Sequence, residues 1–156
     1  MAFDENKVAI FVLKPYPWRS LKTASSERVV PLVGSAGWVA ECILAKPMSS
    51  QFAFPNYNDG QRTNANSASA ALNKWLKGKI GEGYTTHSFR HSMRDRLRAV
   101  ECPSDVIDQI GGWLTQGVGA SYGLRHNQKV LSDWLFEITN MPVLSGPLTK
   151  GPHLRF

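Results

Sequence analysis

Two histidines and four arginines are concentrated in one short segment, residues 86–98, whose sequence is THSFRHSMRDRLR. Both histidines and two of the arginines recur at intervals of three and four residues: His87, Arg90, His91 and Arg94. On a helix, side chains at this spacing share one face, where an arginine offers forked N–H donors to a phosphate and a histidine adds a proton or a hydrogen bond. The segment therefore predicts a phosphate-binding surface. A solvated basic helix face is the competing interpretation.

The two histidines also have the spacing of a zinc site, because histidines four residues apart on a helix can bind one metal ion. Residue 88 is Ser, however, so the glutamate base of the H-E-x-x-H motif is missing, and no third ligand is apparent. We therefore expect no metal at His87 and His91.

A candidate covalent nucleophile lies further along, in the glycine-rich segment GVGASYG, residues 117–123. Tyr122 is flanked there by small residues, and a phenol on such a segment can swing to attack an electrophile. A tyrosine packed in the core is the ordinary alternative. Trp113 stands out as well, because it directly follows two glycines and lies nine residues before Tyr122.

The elements that must position these residues begin with a β ribbon. Residues 7–14 and 27–33 are rich in β-branched and aromatic side chains and are predicted to be strands. Residues 15–26, rich in Pro and Ser, form the predicted connection between them. Pro31 is expected at the edge or the end of its strand, because it cannot donate a ladder hydrogen bond. No other sheet is predicted.

The rest of the chain is predicted to be helical. Apolar spacing and capping signals predict helices over 35–46, 67–79, 87–100, 104–112 and 127–138. Ser35 and Thr86 are the expected caps of two of these helices, and the five tryptophans are expected mostly in the core. The predicted fold class is mainly α with a small N-terminal antiparallel β ribbon. It forms one domain over residues 1–138, followed by a loose tail over residues 139–156.

Composition excludes several classes of protein. The 156 residues are 42% hydrophobic and 19% charged, which supplies a core and argues against disorder. No apolar stretch is long enough for a membrane-spanning helix, and the N-terminus lacks the basic region of a signal peptide. The formal net charge of +6 indicates a polyanionic partner, usually nucleic acid. Cys42 and Cys102 are expected to be reduced structural thiols.

Taken in order, these residues resemble the catalytic domain of tyrosine recombinases, the phage integrase family. Residues 87–91, HSFRH, are similar to its H-x-x-R-H box, and residues 111–113, GGW, to its Leu-Gly-His segment with Trp in the third position. Tyr122 has the spacing of the family nucleophile. Residues 21–32, LKTASSERVVPL, resemble the β hairpin that carries a catalytic lysine, and they match it at Lys22. Lys14 is a second candidate, and the resemblance spans about residues 4–138.

The resemblance implies a role for each matched residue. Tyr122 would attack a DNA phosphorus to form a 3′-phosphotyrosyl link, while Arg90 stabilises the charge on the phosphate. Lys22 would protonate the leaving 5′-oxygen, His87 would assist proton transfer at Tyr122, and Trp113 would shape the pocket. Because the phosphotyrosine retains the bond energy, the resemblance implies no metal and no other cofactor.

One departure from the family pattern concerns its first catalytic arginine, which lies upstream of the ribbon in an Arg-x-x-Glu helix. The chain begins near the turn that follows such a helix, and Arg19 and Arg28 lie on the hairpin, in the wrong place for it. The resemblance therefore implies the C-terminal part of an integrase catalytic domain, expected to be inactive alone. A catalytically inactive DNA-binding remnant is the alternative. The related chemistry of type IB topoisomerases is a further one, against which the short hairpin and the H-x-x-R-H box favour integrases.

Double-stranded DNA is the partner that the resemblance implies, with His91 and Arg94 as further DNA-binding candidates. In the family, the segment after the tyrosine often packs on a neighbouring protomer and helps to form a tetramer on DNA. The apolar face of 127–138 would serve either this contact or the chain's own core; it comprises Val130, Leu131, Trp134 and Leu135. The resemblance also implies a cytoplasmic protein encoded by a bacterium or a phage.

Overall fold

The computed structural model describes residues 1–23, 26–46, 50–113 and 125–141. In these ranges three strands precede five helices, and the strands are β1 (Ala2–Phe3), β2 (Ala9–Leu13) and β3 (Arg28–Pro31). The helices are α1 (Gly34–Ala45), α2 (Ala65–Ile80), α3 (Thr86–Ala99), α4 (Ser104–Gly111) and α5 (Gln128–Asn140). A 3-10 turn, Pro55–Tyr57, precedes α2. A mainly helical chain with a small N-terminal sheet is thus confirmed.

The sheet is antiparallel, with strand order β1-β2-β3. Its main pairing is the predicted ribbon, and Pro31 is the last residue of the edge strand β3, opposite Ile10. The prediction of only two strands is wrong, because Ala2 and Phe3 pair with β2. A strand of two residues carries no periodic pattern, so only its pairing defines it. The Asp4 carboxylate closes the turn after β1 by accepting the N–H groups of residues 6 and 8.

The core lies between β3 and the helices α3, α4 and α5. Its fully buried side chains are Leu97, Val106, Ile110 and Leu131. In α5, Leu131 and Leu135 belong to this core, with Val130 and Trp134 packed against it. The apolar face of α5 therefore folds back on its own chain, and docking of this face on a neighbouring protomer is not supported.

Two predicted helix caps are wrong by one or two residues. Ser35 lies inside α1, whose N-cap is Val33 without a side-chain hydrogen bond. Thr86 is the first residue of α3, and Thr85 is its N-cap and forms a capping box with Ser88. Consecutive Thr residues offer the same side-chain acceptor, so the pattern alone does not decide which of them is the cap.

The expectation that the tryptophans lie mostly in the core is wrong for Trp38 and Trp75, which are 65% and 59% exposed. On α1 the buried residues are small ones, Gly37 and Ala40. A Cβ at Gly37 would lie 2.7 Å from the carbonyl oxygen of Leu32, so the helix approaches the preceding backbone on its glycine side. This close approach directs Trp38 outward.

No helix in the described part of the chain is long and apolar enough to cross a membrane. Cys42 is half-buried and Cys102 is buried, and they are not joined by a disulfide. Burial raises the pKa of the Cys102 thiol to about 11, and the Asp105 carboxylate adds to the shift.

The Cys102 thiol is expected to be alkylated much more slowly than the Cys42 thiol in the folded protein. At pH 8 a thiol with a pKa near 11 is almost wholly protonated, and the thiolate is the nucleophile. Iodoacetamide labelling followed by peptide mass spectrometry should show a difference of about tenfold or more, which denaturant abolishes. Equal labelling in the folded state would contradict the burial of Cys102.

Candidate functional site

The start of α3 is held in place by α2. The N–H of Thr86 donates to the side-chain oxygen of Asn73 on α2, at 2.8 Å. The N–H of Thr85 donates to the Ser88 hydroxyl oxygen at 3.1 Å. Because the first N–H groups of a helix have no partner within it, these bonds fix where α3 begins. They set the rotation of the helix that carries the H-x-x-R-H box.

Core packing and the basic side chains occupy adjacent sides of α3. Leu97 is fully buried, and Met93 and Val100 pack against the core cluster. Arg90 and Arg94, one turn apart, are half-buried beside this apolar stripe. Helix α3 therefore places the guanidinium groups of Arg90 and Arg94 at the edge of the core and not on the side of the helix that faces solvent.

Two arginines of α3, Arg90 and Arg94, contact the ring of Trp113. The Cζ of Arg90 lies 4.1 Å from the ring centroid and that of Arg94 lies 4.7 Å from it. Contacts of this kind attract a cation to the π face, and an indole offers a larger face than an imidazole. Trp113 thus positions two guanidinium groups with one side chain.

The end of α4 is shaped to place this ring. Gly112 is the C-cap, in the left-handed conformation with φ of 68° that favours glycine. The N–H of Trp113 donates to the carbonyl oxygen of Asp108 at 3.0 Å. A Cβ at Gly111 would overlap the Trp113 ring. Gly112 therefore permits the turn after α4, and Gly111 leaves room for the indole ring.

Arg28 links the sheet to this corner of the molecule. Its Nε donates to the carbonyl oxygen of Ile110 at 2.9 Å, and its Nη1 to that of Ser26 at 2.8 Å. Burial lowers the pKa of Arg28, and the neighbouring positive charge of Arg90 lowers it further. From its position on the predicted hairpin, Arg28 is not expected at the site. The structure places it beside Arg90, because β3 packs on α4 across 82 positions of sequence.

The charge of this cluster is not neutralised within the described residues. The ion pairs there are Lys77–Glu82, His126–Asp105 and Lys129–Asp133, and none includes Arg28, Arg90 or Arg94. The buried Nε of Arg94 has no hydrogen-bond partner among the described residues. Like charges held together without a carboxylate favour an anion as their partner. We call Arg28, Arg90, Arg94 and Trp113 the arginine cluster.

The two histidines of α3 contact each other. The rings of His87 and His91 meet edge to face, with centroids 4.8 Å apart, and both residues are exposed. Within the described ranges, no group of three or more His, Cys, Asp or Glu side chains could hold a metal ion. His87 lies one turn before Arg90 on α3.

Residues 1–123 match the phage integrase family. The chain belongs to the phage integrase family. No curated protein and no solved structure matches it. Membership indicates integration or site-specific recombination of DNA as the general function, and DNA as the partner. The arginine cluster, built from three separate elements, lies within the matched range.

Two other site residues expected in this integrase are not joined to the arginine cluster. Lys22 is exposed in the connection between β2 and β3, and no hydrogen bond, ion pair or ring contact of the described residues joins it to Arg90. Lys14, the second candidate, has its Nζ 5.5 Å from the Tyr16 ring centroid. Tyr122 lies outside the described residues.

Proposed function

We propose that this chain, as the C-terminal part of an integrase of a phage or another mobile element, cleaves and rejoins DNA strands through a 3′-phosphotyrosyl intermediate. The observation that carries the proposal is the arginine cluster: two guanidinium groups of α3 on the Trp113 ring, with no carboxylate partner in the described part of the chain. A site of this kind suits a phosphodiester, whose charge grows in the pentavalent transition state.

The reaction breaks one phosphoester bond and forms another, so the number of phosphoester bonds does not change. The Tyr122 phenol oxygen attacks phosphorus, the bond from phosphorus to the 5′-oxygen breaks, and the DNA keeps its 3′-phosphate on the tyrosine. His87 accepts the phenol proton, and Lys22 donates a proton to the leaving 5′-oxygen. Rejoining runs the same steps backwards when a 5′-hydroxyl attacks the phosphotyrosine.

Arg90 and Arg28 have different parts in this proposal. Arg90 contacts the non-bridging phosphate oxygens in this proposal, since its Cζ lies over the Trp113 ring and no ion pair of the described residues engages its N–H donors. Arg28 uses two of its nitrogens on backbone carbonyls, so it adds positive field and holds the end of α4. Arg94 and His91 extend the basic surface along the DNA backbone.

The test is covalent trapping on nicked DNA. The chain is fused to an Arg-x-x-Glu helix of the family pattern, because without that arginine it is expected to be inactive, and is incubated with a pool of duplexes of randomised sequence, nicked so that the short 5′-hydroxyl product diffuses away and the adduct accumulates. Protein that stays on DNA in detergent is digested, and the modified peptide is identified by mass spectrometry. We expect phosphotyrosine at Tyr122 and no adduct with Tyr122→Phe, because the phenylalanine ring has no oxygen to attack phosphorus.

Two results would contradict this proposal. An adduct that persists in Tyr122→Phe would assign the nucleophile elsewhere. Salt-sensitive DNA binding by the wild-type chain without any adduct would favour the other reading, a remnant that occupies DNA through phosphate contacts alone.

A further inference from the structure

A tight turn in the connection between β2 and β3 carries two stacked aromatic rings. The N–H of Tyr16 donates to the carbonyl oxygen of Arg19, and the N–H of Arg19 donates to that of Tyr16, both at 2.9 Å. The rings of Tyr16 and Trp18 lie almost parallel, with centroids 5.1 Å apart and 17° between their planes. The two backbone bonds close the turn and so hold the rings together. We call residues 16–19 the aromatic turn.

A second loop supports the aromatic turn from one side. The Trp18 ring meets the Phe52 ring edge to face, with centroids 5.6 Å apart. A Cβ at Gly60 would lie 3.6 Å from the Phe52 ring, so this ring rests against the backbone there. Trp18 and Phe52 are half-buried, whereas Tyr16 is 37% exposed. Trp18 is therefore the inner ring of the stack, and Tyr16 is the ring that a ligand can reach.

The charge of this connection is entirely positive. Residues 14–26 contain no Asp or Glu, and their cations are Lys14, Arg19 and Lys22. The Nζ of Lys14 lies 5.5 Å from the Tyr16 ring centroid, and Nη2 of Arg19 donates to the Lys14 carbonyl oxygen at 3.2 Å. No ion pair of the described residues includes any of the three cations. An exposed ring beside such cations suits a ligand that has both a flat π face and a negative charge.

The aromatic turn lies at the end of the sheet where Arg28 enters the arginine cluster. Leu13, the last residue of β2, is paired with Arg28, the first residue of β3. Arg28 reaches the end of α4 through the carbonyl oxygen of Ile110. The turn begins three residues after Leu13, and three residues span at most about 11 Å. A DNA strand bound at the arginine cluster therefore has the aromatic turn close beside it.

We propose that the aromatic turn binds unpaired DNA: a base stacks on the exposed Tyr16 ring, and the exposed Lys14 contacts a phosphate of the same strand. Every base has a π face, so a site of this kind tolerates any sequence. In a duplex the bases cover each other's faces, and the ligand is therefore single-stranded. The proposed cleavage would supply such a strand as its released 5′-hydroxyl end, so a role of the turn in recombination rests on the proposed function.

The test compares two single strands of equal length by fluorescence anisotropy. One is a labelled strand of about twelve deoxythymidines, and the other has the same phosphates and sugars but no bases. Phosphate contacts alone would give both strands the same Kd and the same salt dependence. We expect the wild-type chain to bind the strand that has bases about tenfold or more tightly, because only that strand can stack.

Three variants locate the preference. Tyr16→Ala should raise the Kd for the thymidine strand about 5- to 100-fold and leave the Kd for the strand without bases within about twofold. Tyr16→Phe should bind like wild type, since it keeps the ring and loses only the hydroxyl. Trp38→Ala is the matched control, because Trp38 is 65% exposed on α1, a helix without Lys or Arg. It should change neither Kd.

Photocrosslinking keeps the proposal testable if Tyr16→Ala does not fold, because it uses the wild-type chain. The thymidines are replaced by 5-iododeoxyuridine. On irradiation the carbon–iodine bond breaks, and the uracil is joined to an adjacent aromatic ring with loss of hydrogen iodide. We expect the crosslinked peptide, identified by mass spectrometry, to contain Tyr16. A crosslink confined to other aromatic residues would overturn the proposal.

The outcomes separate binding at the aromatic turn from cleavage. Equal Kd values of wild type for the two strands would refute the stacking, and so would an equal loss of both strands in Tyr16→Ala, since charge or folding would then be the cause. If the Tyr122 adduct forms but the preference for bases is absent, only the aromatic turn is ruled out. If the preference depends on Tyr16 but no adduct forms, binding at the turn stands and its role in recombination falls.

Discussion

Arg90→Ala is expected to lower the rate of covalent adduct formation by about 100- to 1,000-fold, or about 3–4 kcal/mol of transition-state stabilisation. Arg90 is the α3 guanidinium closer to the Trp113 ring, and no carboxylate of the described residues neutralises it. A donor that is already in place needs no reorganisation when charge develops on the phosphate, so its removal affects the rate more than the binding. Single-turnover cleavage of nicked duplex measures the effect.

Arg90→Lys separates charge from geometry. A lysine keeps the positive charge but has neither the flat guanidinium that lies on the indole nor the forked donors. We expect it to recover less than a tenth of the wild-type rate. Arg98→Ala is the control, because Arg98 is an exposed residue near the end of the same helix. A rate within about twofold of wild type for Arg90→Ala would contradict the placement of the phosphate at the arginine cluster.

The helices of the core are the part of the fold that local patterns predict well. In α4, Val106, Ile107 and Ile110 have the spacing of one apolar side, and all three are buried. A helix whose apolar residues form a single stripe has only one side that it can bury, so the prediction depends on few other contacts. The same reasoning predicted the apolar side of α5, including Leu131.

Local sequence patterns do not predict which side of a helix is buried when several of its sides are apolar. They also do not predict a strand that is defined only by its pairing with another strand. Trp38 and Val39 are large and adjacent on α1, yet its inward side consists of Gly37 and Ala40. The size of the side chains alone predicts that Trp38 and Val39 face inward. The close approach of the backbones instead favours the smallest residues on the inward side. The short strand β1 is likewise defined by pairing with β2 and not by its own two residues.

The candidate site was predictable as separate motifs but not as an assembly. Arg90, Arg94 and Trp113 were each singled out from the sequence, and their stacking depends on how α3 crosses the end of α4. Arg28 donates to the backbone carbonyl oxygen of a distant residue, Ile110. Every residue has a backbone carbonyl group, so the residue type at the accepting position gives no sign of the contact. A basic residue at the start of a partly buried strand was the only signal for Arg28.

Gly111→Ala is expected to destabilise the protein and to reduce cleavage about 100-fold, although alanine is the better helix former. The added methyl group would occupy the space of the Trp113 ring. A rigid indole cannot yield as the tip of a flexible chain would, so the ring must leave its place on Arg90 and Arg94. Overpacking of this kind costs about 1–3 kcal/mol, against about 1 kcal/mol gained in helix propensity.

Gly78→Ala is the matched control for this prediction, because Gly78 lies inside α2 and a Cβ there would meet nothing within 4 Å. The same substitution should therefore stabilise the protein at Gly78, by about 1 kcal/mol, and destabilise it at Gly111. Urea unfolding followed by circular dichroism gives both free energies, and the tryptophan fluorescence of the folded state should change for Gly111→Ala alone. If both variants were more stable than wild type, the indole would not lie against Gly111. That result would contradict the contacts of the Trp113 ring with Arg90 and Arg94.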